Sequence, residues 1–570
     1  MSVYSNHFNR PVPQSEQARD DEVKNNAGGF VFAVDPFMRL RRFLVLGAEG
    51  GTYYVSERKL VIDNAKCVQE CLKIDGLRTV NEIVDISVQG RAPKQSPGIF
   101  ALALACKYAD HDARKAAFAA IPHVCRTGST LQEFTLCLKG MRNFGAGVRK
   151  AYSAWYNGKT ADKLAYQLVK YQTRKGISHR DILRMARVSP CDPAHEAAFR
   201  WACGVPLTER TVKRRVPGHD VPGSGLKEAT YPDVSEHLPK ILTGYEELKT
   251  APGPNSVAQM IAEHGFTWEM VPTEHLSSPV VWDALLQKMP INAMIRNLGR
   301  MTNAGLIKPM SDGARLITER LGDAKRLKGG RIHPLNVLVA LNTYKTGRGR
   351  SGLTWDPERE IIDALDEAYY LSFGTVEPTG KRRLIALDVS GSMGSPPLAG
   401  MPGITPRVGS AAMAMLTMRT EKNWHCCGFT AAVGGISFKR KHRGWGGNDG
   451  VSPLKISAKQ RLDDVIKTIH DLPFGATDVA LPMRYAMMKK IPVDCFEIYT
   501  DNESWSGDVH PWVALEDYRQ KMGIDARLIS VGMAATEYTV ADPKDPRQLD
   551  VVGFDTSVPT VMSDFIKGDI

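Results

Sequence analysis

Residues 384–393, LIALDVSGSM, constrain the fold more than any other stretch of this chain. An apolar run ends in Asp388, Ser390 and Ser392, with Gly391 and Met393 closing the turn. The pattern predicts a buried parallel strand that delivers three oxygen ligands at alternate positions to its carboxyl end. Hard cations such as Mg²⁺ take oxygen ligands and usually keep several waters. Taken alone, D-x-S-x-S is equally a Ser/Gly-rich strand-to-helix turn. Two downstream pieces strengthen the metal reading. Gly475-Ala476-Thr477-Asp478 offers a hydroxyl from a second loop, and the strand-like run Cys495–Thr500 ends in Asp501 and Glu503. An open α/β sheet forms its ligand crevice outside the carboxyl ends of its strands, where all three pieces fall.

The surrounding residues alternate between strand and helix. Helix-like VGSAAMAMLTMRT follows the first strand, then strand-like WHCCGFT and GGISF. Helices QRLDDVIKTIHDL, VALPMRYAMMKK and PWVALEDYRQKM alternate with strands CFEIYTD and RLISVGM. This order predicts a mostly parallel, doubly wound α/β sheet with helices on both faces. With its three loops it resembles the von Willebrand factor A domain and its metal-ion-dependent adhesion site. That resemblance implies a divalent ion, most simply Mg²⁺, held by Asp388, Ser390, Ser392, Thr477 and Asp501, the last two often through water. The Gly- and Pro-rich loop 394–407 is long for such a domain and is expected to fold over the crevice.

Ten cysteines show no C-x-x-C and no framework spacing, so they are expected to be reduced and mostly buried. No run of about 18 apolar residues predicts a membrane helix, and the polar N-terminus lacks an apolar signal core, which predicts a cytoplasmic protein. The first 29 residues are expected to form a disordered arm. The net charge is +12, and its location is informative. From residue 376 onward 23 basic residues balance 23 acidic ones, so the whole excess lies before that point. Such an excess is either a solvated basic surface or a phosphate-binding one.

From about residue 61 to 372 the pattern is helical almost throughout. Segments such as NAKCVQECLKI, ARKAAFAAIPHVC, STLQEFTLCLKGM and TADKLAYQLVKYQTRK place apolar residues at three- and four-residue spacing. Short amphipathic helices joined by tight turns predict an α-solenoid of helical pairs, without a strict sequence period. Residues 204–255, with RTVKRRVPGHDVPGSG, are expected to be an exposed connection, and TVEPTGK at 375–381 a linker.

RRFLVLGAEGGTYY, VRKAYSAWYN, YQTRKGISHRDILRM, NAMIRNLGRMT and RIHPLNVLVALNTYKTGRG resemble the marker stretches of the TROVE module. That module precedes a von Willebrand A domain in the Ro ribonucleoprotein (Ro/SS-A autoantigen) family, and the resemblance runs from about residue 30 to the C-terminus. It implies three parts: the arm 1–29, a ring of HEAT-like helical repeats over 30–374, and the A domain over 375–570. It further implies that the outside of the ring binds small noncoding Y RNA. The central hole would admit single-stranded 3′ ends of misfolded RNA. The resemblance implies a role in RNA quality control or decay, with Y RNA linking the protein to polynucleotide phosphorylase or another exoribonuclease. One chain builds the ring, so a monomer is expected.

The stretch 170–187, KYQTRKGISHRDILRMAR, is the densest basic segment. Lys170, Arg174, Lys175, His179, Arg180, Arg184 and Arg187 crowd into about five helical turns broken by Gly176, with Ser178 as a helix N-cap and Asp181 completing a capping box. A helix N-terminus beside Arg and Lys is a natural phosphate seat. His179 matches the histidine of the family's Y RNA site; on residues alone it is a first-turn surface position. Arg142, Arg149, Lys150 and Lys159 form a second set. The interleaved Tyr152, Trp155 and Tyr156 could stack on bases, but their spacing fits a buried helix face better. Arg41, Arg42, Arg296 and Arg300 are assigned to the hole; for Arg296 and Arg300, pairing with Asp283 or Glu319 is the structural alternative.

No G-x-x-x-x-G-K-[ST], H-E-x-x-H or G-x-S-x-G occurs, so binding rather than catalysis is expected. The competing reading is a metal-dependent, adhesion-type scaffold with no RNA role.

Overall fold

The structure is a computed structural model. It describes residues 12–47, 66–215, 226–349, 352–374, 376–394, 397–398, 403–431, 450–470 and 475–569. The expected strand GGISF and part of the 394–407 loop lie outside these residues.

Short helices follow one another from Lys66–Ile74 to Arg359–Leu371. Their sequences explain their packing. In Ala146–Asn157 the buried positions are Val148, Ala151, Tyr152, Trp155 and Tyr156, a stripe at three- and four-residue spacing that must face a core. Ser96–Tyr108 is buried on nearly every side, as its continuous apolar run requires. Helices pack on the next element and on the next but one (Gly76–Gln89 on His111–Val124, and the latter on Ala146–Asn157), the arrangement of stacked helical pairs. Two hairpins interrupt the series: β3 (Thr173–Arg174) with β4 (Ile177–Ser178), and β5 (Arg210–Arg215) with β6 (Leu226–Tyr231). The second occupies the expected connection 204–255, which also holds the helix Lys240–Leu248. Strands β1 (Glu22–Lys24) and β2 (Phe30–Ala33) precede the series.

The helical array closes on itself. Before the helix Pro334–Lys345, the His333 Nε2–H reaches Arg91 O at 3.0 Å and Phe554 O at 2.8 Å, and Asn336 Nδ2 donates to Pro93 O. The last helices thereby meet the second and third, and the A domain joins at the same seam. On one side the helix Pro36–Leu46 sends Arg42 to Asp550, and Arg91 pairs with Asp555. On the other, Lys345 pairs with Asp463 and Arg419 with Asp366. One apolar core runs without a break from the ring helices into the A-domain face carrying Pro406–Thr420 and Val558–Lys567.

The A-domain sheet comprises β7 (Arg383–Asp388), β8 (Trp424–Phe429), β9 (Val451–Pro453), β10 (Cys495–Thr500), β11 (Arg527–Gly532) and β13 (Gln548–Val552). Their order is β13-β11-β10-β7-β8-β9, parallel except for the antiparallel edge β9. The chain moves outward from β7 through β8 and β9, then returns to the far side through β10. The crevice between β7 and β10 is therefore a topological switch point.

The expectation of a disordered arm over 1–29 is corrected from residue 12 onward. β1 and β2 form a hairpin that joins β12 (Tyr538–Thr539) in a three-stranded sheet against the A domain. Glu22 fixes the turn through Ala18 N and Arg19 N and accepts from Trp512 Nε1. The partners in the A domain lie nearly five hundred residues away along the chain, so no local signal announces them. The ten cysteines are all free, seven of them buried. Among the described residues no helix is long and apolar enough to cross a membrane.

Candidate functional site

Parallel register places the two acids of the crevice side by side. Leu387 on β7 pairs with Tyr499 on β10, so Asp388 and Asp501 leave the ends of adjacent strands. Asp388, Ser390, Ser392, Thr477 and Asp501 are all at most 4% exposed. Three loops are stitched together here. Gly391 N donates to Gly475 O, and Trp505 N and Ser506 N donate to Thr477 O at 3.1 and 3.0 Å. Arg407 Nη2 donates to the Val389 and Ser390 carbonyls at 2.8 and 2.9 Å and fixes the first loop.

The oxygens are only partly engaged. Asp388 accepts from Ser390 N at 2.9 Å and from Thr500 Oγ1 at 2.7 Å. The Ser390 and Ser392 hydroxyls are 3.0 Å apart. Asp501 Oδ1 accepts from Glu503 N, whereas Asp501 Oδ2 and Thr477 Oγ1 are buried with no hydrogen-bond partner. Burial first, and the neighbouring Asp501 second, push the Asp388 carboxyl up to about 7; burial also raises Asp501. Buried polar atoms rarely lack partners, and two buried carboxylates call for positive charge. An all-oxygen set with orphaned atoms fits a hard divalent cation. Sequence reading missed Arg407, Thr500 and Thr536; the last donates from Oγ1 to Asp501 O. Their spacing in sequence carries no sign of these roles.

The second region is the segment 170–187. Lys175 and Gly176 both adopt positive φ, 48° and 80°, which closes β3 and β4 as a two-residue hairpin. Ser178 caps the helix His179–Ala186 in a reciprocal capping box with Asp181, as expected. Arg174 and Lys175 at the hairpin are exposed, and both lie 3.5 Å from the one carboxylate of Glu133. Arg180, Arg184 and Arg187 are exposed alongside. One half-neutralised cluster thus faces solvent beside a helix N-terminus.

Several assignments to RNA contact change. His179 is 3% exposed, its Nδ1 is 2.8 Å from the Tyr156 hydroxyl, and its ring stacks near Trp155. Burial, aided by the charge of Lys159, lowers it to about 4. It is a neutral core imidazole beneath the basic face, not a surface contact. Lys159 lies 3.5 Å over the Trp155 ring and donates to Trp155 O at 2.8 Å; burial lowers it to about 8. Arg142 is tied to Cys106 O and the Phe118 ring. Lys170 is largely covered, 3.3 Å from the Tyr166 hydroxyl and 3.9 Å from Glu269. Arg149 is half-buried and Lys150 exposed. Tyr152, Trp155 and Tyr156 are core.

Of the four hole arginines, Arg42 is corrected outright. It is 1% exposed and holds Asp550 at 2.6 and 2.8 Å, with Thr536 O and Tyr538 O. A guanidinium so enclosed binds ring to A domain and has no face for RNA. Arg41 is half-buried against Glu82. Arg296 and Arg300 are exposed, and neither pairs with Asp283 or Glu319; Arg300 lies 4.5 Å over the Trp268 ring.

Comparison with known proteins agrees with both halves. The sequence model of the TROVE domain matches residues 23–217 and 249–346, and that of the Ro60 vWA domain matches 382–566. A Deinococcus radiodurans protein named RNA-binding protein RO60 is 36% identical over 99% of this chain and 98% of its own length. One of the same name from Caenorhabditis elegans is 34% identical over 100% and 94%. The crystal structure of the Deinococcus radiodurans RO (RSR) protein superposes with a TM-score of 0.66, covering 94% of this chain and 100% of that one at 36% identity. The chain therefore belongs to the Ro family, with a TROVE helical ring joined to a Ro60-type von Willebrand factor A domain.

Proposed function

We propose that this chain binds RNA as a Ro protein, in the cytoplasm and without catalysis. The observation that carries the reading is the exposed cluster of Arg174, Lys175, Arg180, Arg184 and Arg187 at a hairpin and a capped helix N-terminus, with Glu133 and Asp181 as its nearby acids. Phosphates are drawn to such a surface, and groove shape rather than base sequence selects duplex RNA. A structured Y RNA on this outer face is the ligand that fits. The exposed Arg296 and Arg300, the latter over Trp268, suit a single-stranded 3′ end of a misfolded RNA in the hole. His179 contributes by holding the two helices under the face. Recruitment of an exoribonuclease through the Y RNA follows from this reading, with one chain per ring.

The A domain would hold Mg²⁺ through Asp388, Ser390, Ser392, Thr477 and Asp501; the ion would supply a coordination position for a partner's carboxylate. The buried, unpartnered Thr477 Oγ1 and Asp501 Oδ2 support this. Sequencing the RNA that co-purifies from native cells tests the main reading. Enrichment of one small structured RNA, with RNAs bearing single-stranded 3′ tails, is the expected result. Background RNA alone would overturn it and leave the metal-dependent scaffold.

A further inference from the structure

The N-terminal arm reaches the loops of the metal crevice. Gln14, 1% exposed, donates from Nε2 to Asp478 Oδ1 at 2.7 Å and to Val509 O at 2.8 Å, and accepts from Ser504 Oγ. Asp478 directly follows Thr477, and Ser504 Oγ also accepts from Val479 N at 3.1 Å. Gln14 therefore bridges the loop carrying Thr477 and the loop carrying Asp501. A second tie lies across the hairpin, where Asn26 Nδ2 and Ala27 N donate to the Glu503 carboxylate at 2.8 and 3.1 Å. Asn25 Nδ2 donates to Ser504 O at 2.8 Å. The fit leaves no slack: a Cβ added at Gly29 would strike Ser504 O, and one at Gly507 would strike Gln14 and Asp478.

We propose that residues 12–33 are a positioning element of the metal crevice: Gln14, acting through Asp478, holds the Thr477 loop against the Asp501 loop, so that arm docking and divalent-cation binding stabilise each other. The proposal rests on the metal reading of the crevice. The physical reason is that groups behind the ligands fix their orientation, and loss of one typically lowers metal affinity about 10- to 100-fold. Coupling of two binding events is reciprocal, so the cation must favour docking of the arm by the same factor.

The test uses the full chain, with Mg²⁺ and Mn²⁺ titrated calorimetrically into the unaltered protein, Gln14→Ala, Asn26→Ala and the exposed hairpin control Lys24→Ala. The expected result is affinity weakened about 10- to 100-fold in Gln14→Ala, a smaller loss in Asn26→Ala and none in Lys24→Ala. Hydrogen exchange in the unaltered protein supplies a readout that needs no variant. Amides of 22–33 should gain protection on saturation with Mg²⁺, and Asp388→Ala should abolish the gain. Unchanged affinity in both Gln14→Ala and Asn26→Ala, or protection indifferent to a cation that does bind, would overturn the coupling while leaving the metal site standing. No binding of either cation by the unaltered protein would overturn the metal reading and the proposal together.

Discussion

His333 is the place where ring closure can be measured. Its Nε2–H is shared by carbonyls from the beginning of the ring and from the A domain, and its Nδ1 accepts from Leu335 N at 3.1 Å. Both ring nitrogens are used in the neutral form, and burial lowers the residue to about 4. An opened seam exposes the imidazole to water, where it titrates near about 6.5. The closed form thus loses advantage as pH falls: its contribution is full above the solvated value and declines until pH reaches about 4. Each unit of separation is worth about 1.4 kcal/mol, and the linkage relation gives a loss of about 2 kcal/mol at this one site between pH 7 and pH 5. Native-state hydrogen exchange over 333–345, corrected for intrinsic rates, measures that opening free energy. Comparison with His333→Gln, which can donate to the same carbonyls but does not titrate, removes the contribution of every other group. The unaltered protein should lose about 2 kcal/mol more than the variant over this range. Equal pH dependence in the two proteins would refute the seam argument.

Three further outcomes follow from particular interactions. Arg42→Ala leaves Asp550 and two carbonyls without their partner at the ring–A domain junction, and should cost about 3–5 kcal/mol in denaturant unfolding; a loss below about 1 kcal/mol would show the pair to be solvated. Gly128→Ala places a Cβ 2.7 Å from His179 Nε2 and 2.9 Å from Tyr171 Cβ, so overpacking should destabilise the protein by about 1–3 kcal/mol and weaken RNA binding without altering charge. Replacing Arg174, Lys175 and Arg180 by Ala should weaken binding of a structured RNA and make the salt dependence shallower, by about 0.7–0.9 for each phosphate no longer neutralised. An unchanged slope in filter-binding titrations would remove these residues from the interface.

The two-part architecture was legible in the sequence because each half carries its own periodicity. Helical spacing such as Val148–Ala151–Tyr152–Trp155–Tyr156 and the strand LIALD ending in D-x-S-x-S are local patterns, and burial follows from them directly. The crevice acids were legible for the same reason: parallel strands deliver their C-terminal residues to one edge. The capping box at Ser178 is likewise local, whereas the β3–β4 hairpin stands where the sequence reads as helix broken by Gly176. What the sequence could not decide is which charged side chains stay in water. Arg42 and His179 sit in basic or polar strings like those of Arg174 and Arg180, yet tertiary packing encloses the first two and leaves the other two exposed. Enclosure depends on Asp550 and Tyr156, partners fixed by helix rotation and by the closing of the ring, not by spacing along the chain. The N-terminal arm shows the same limit most plainly: its polar composition reads as disorder, and only the A-domain loops 464 to 495 residues away supply the hydrogen bonds that hold Gln14.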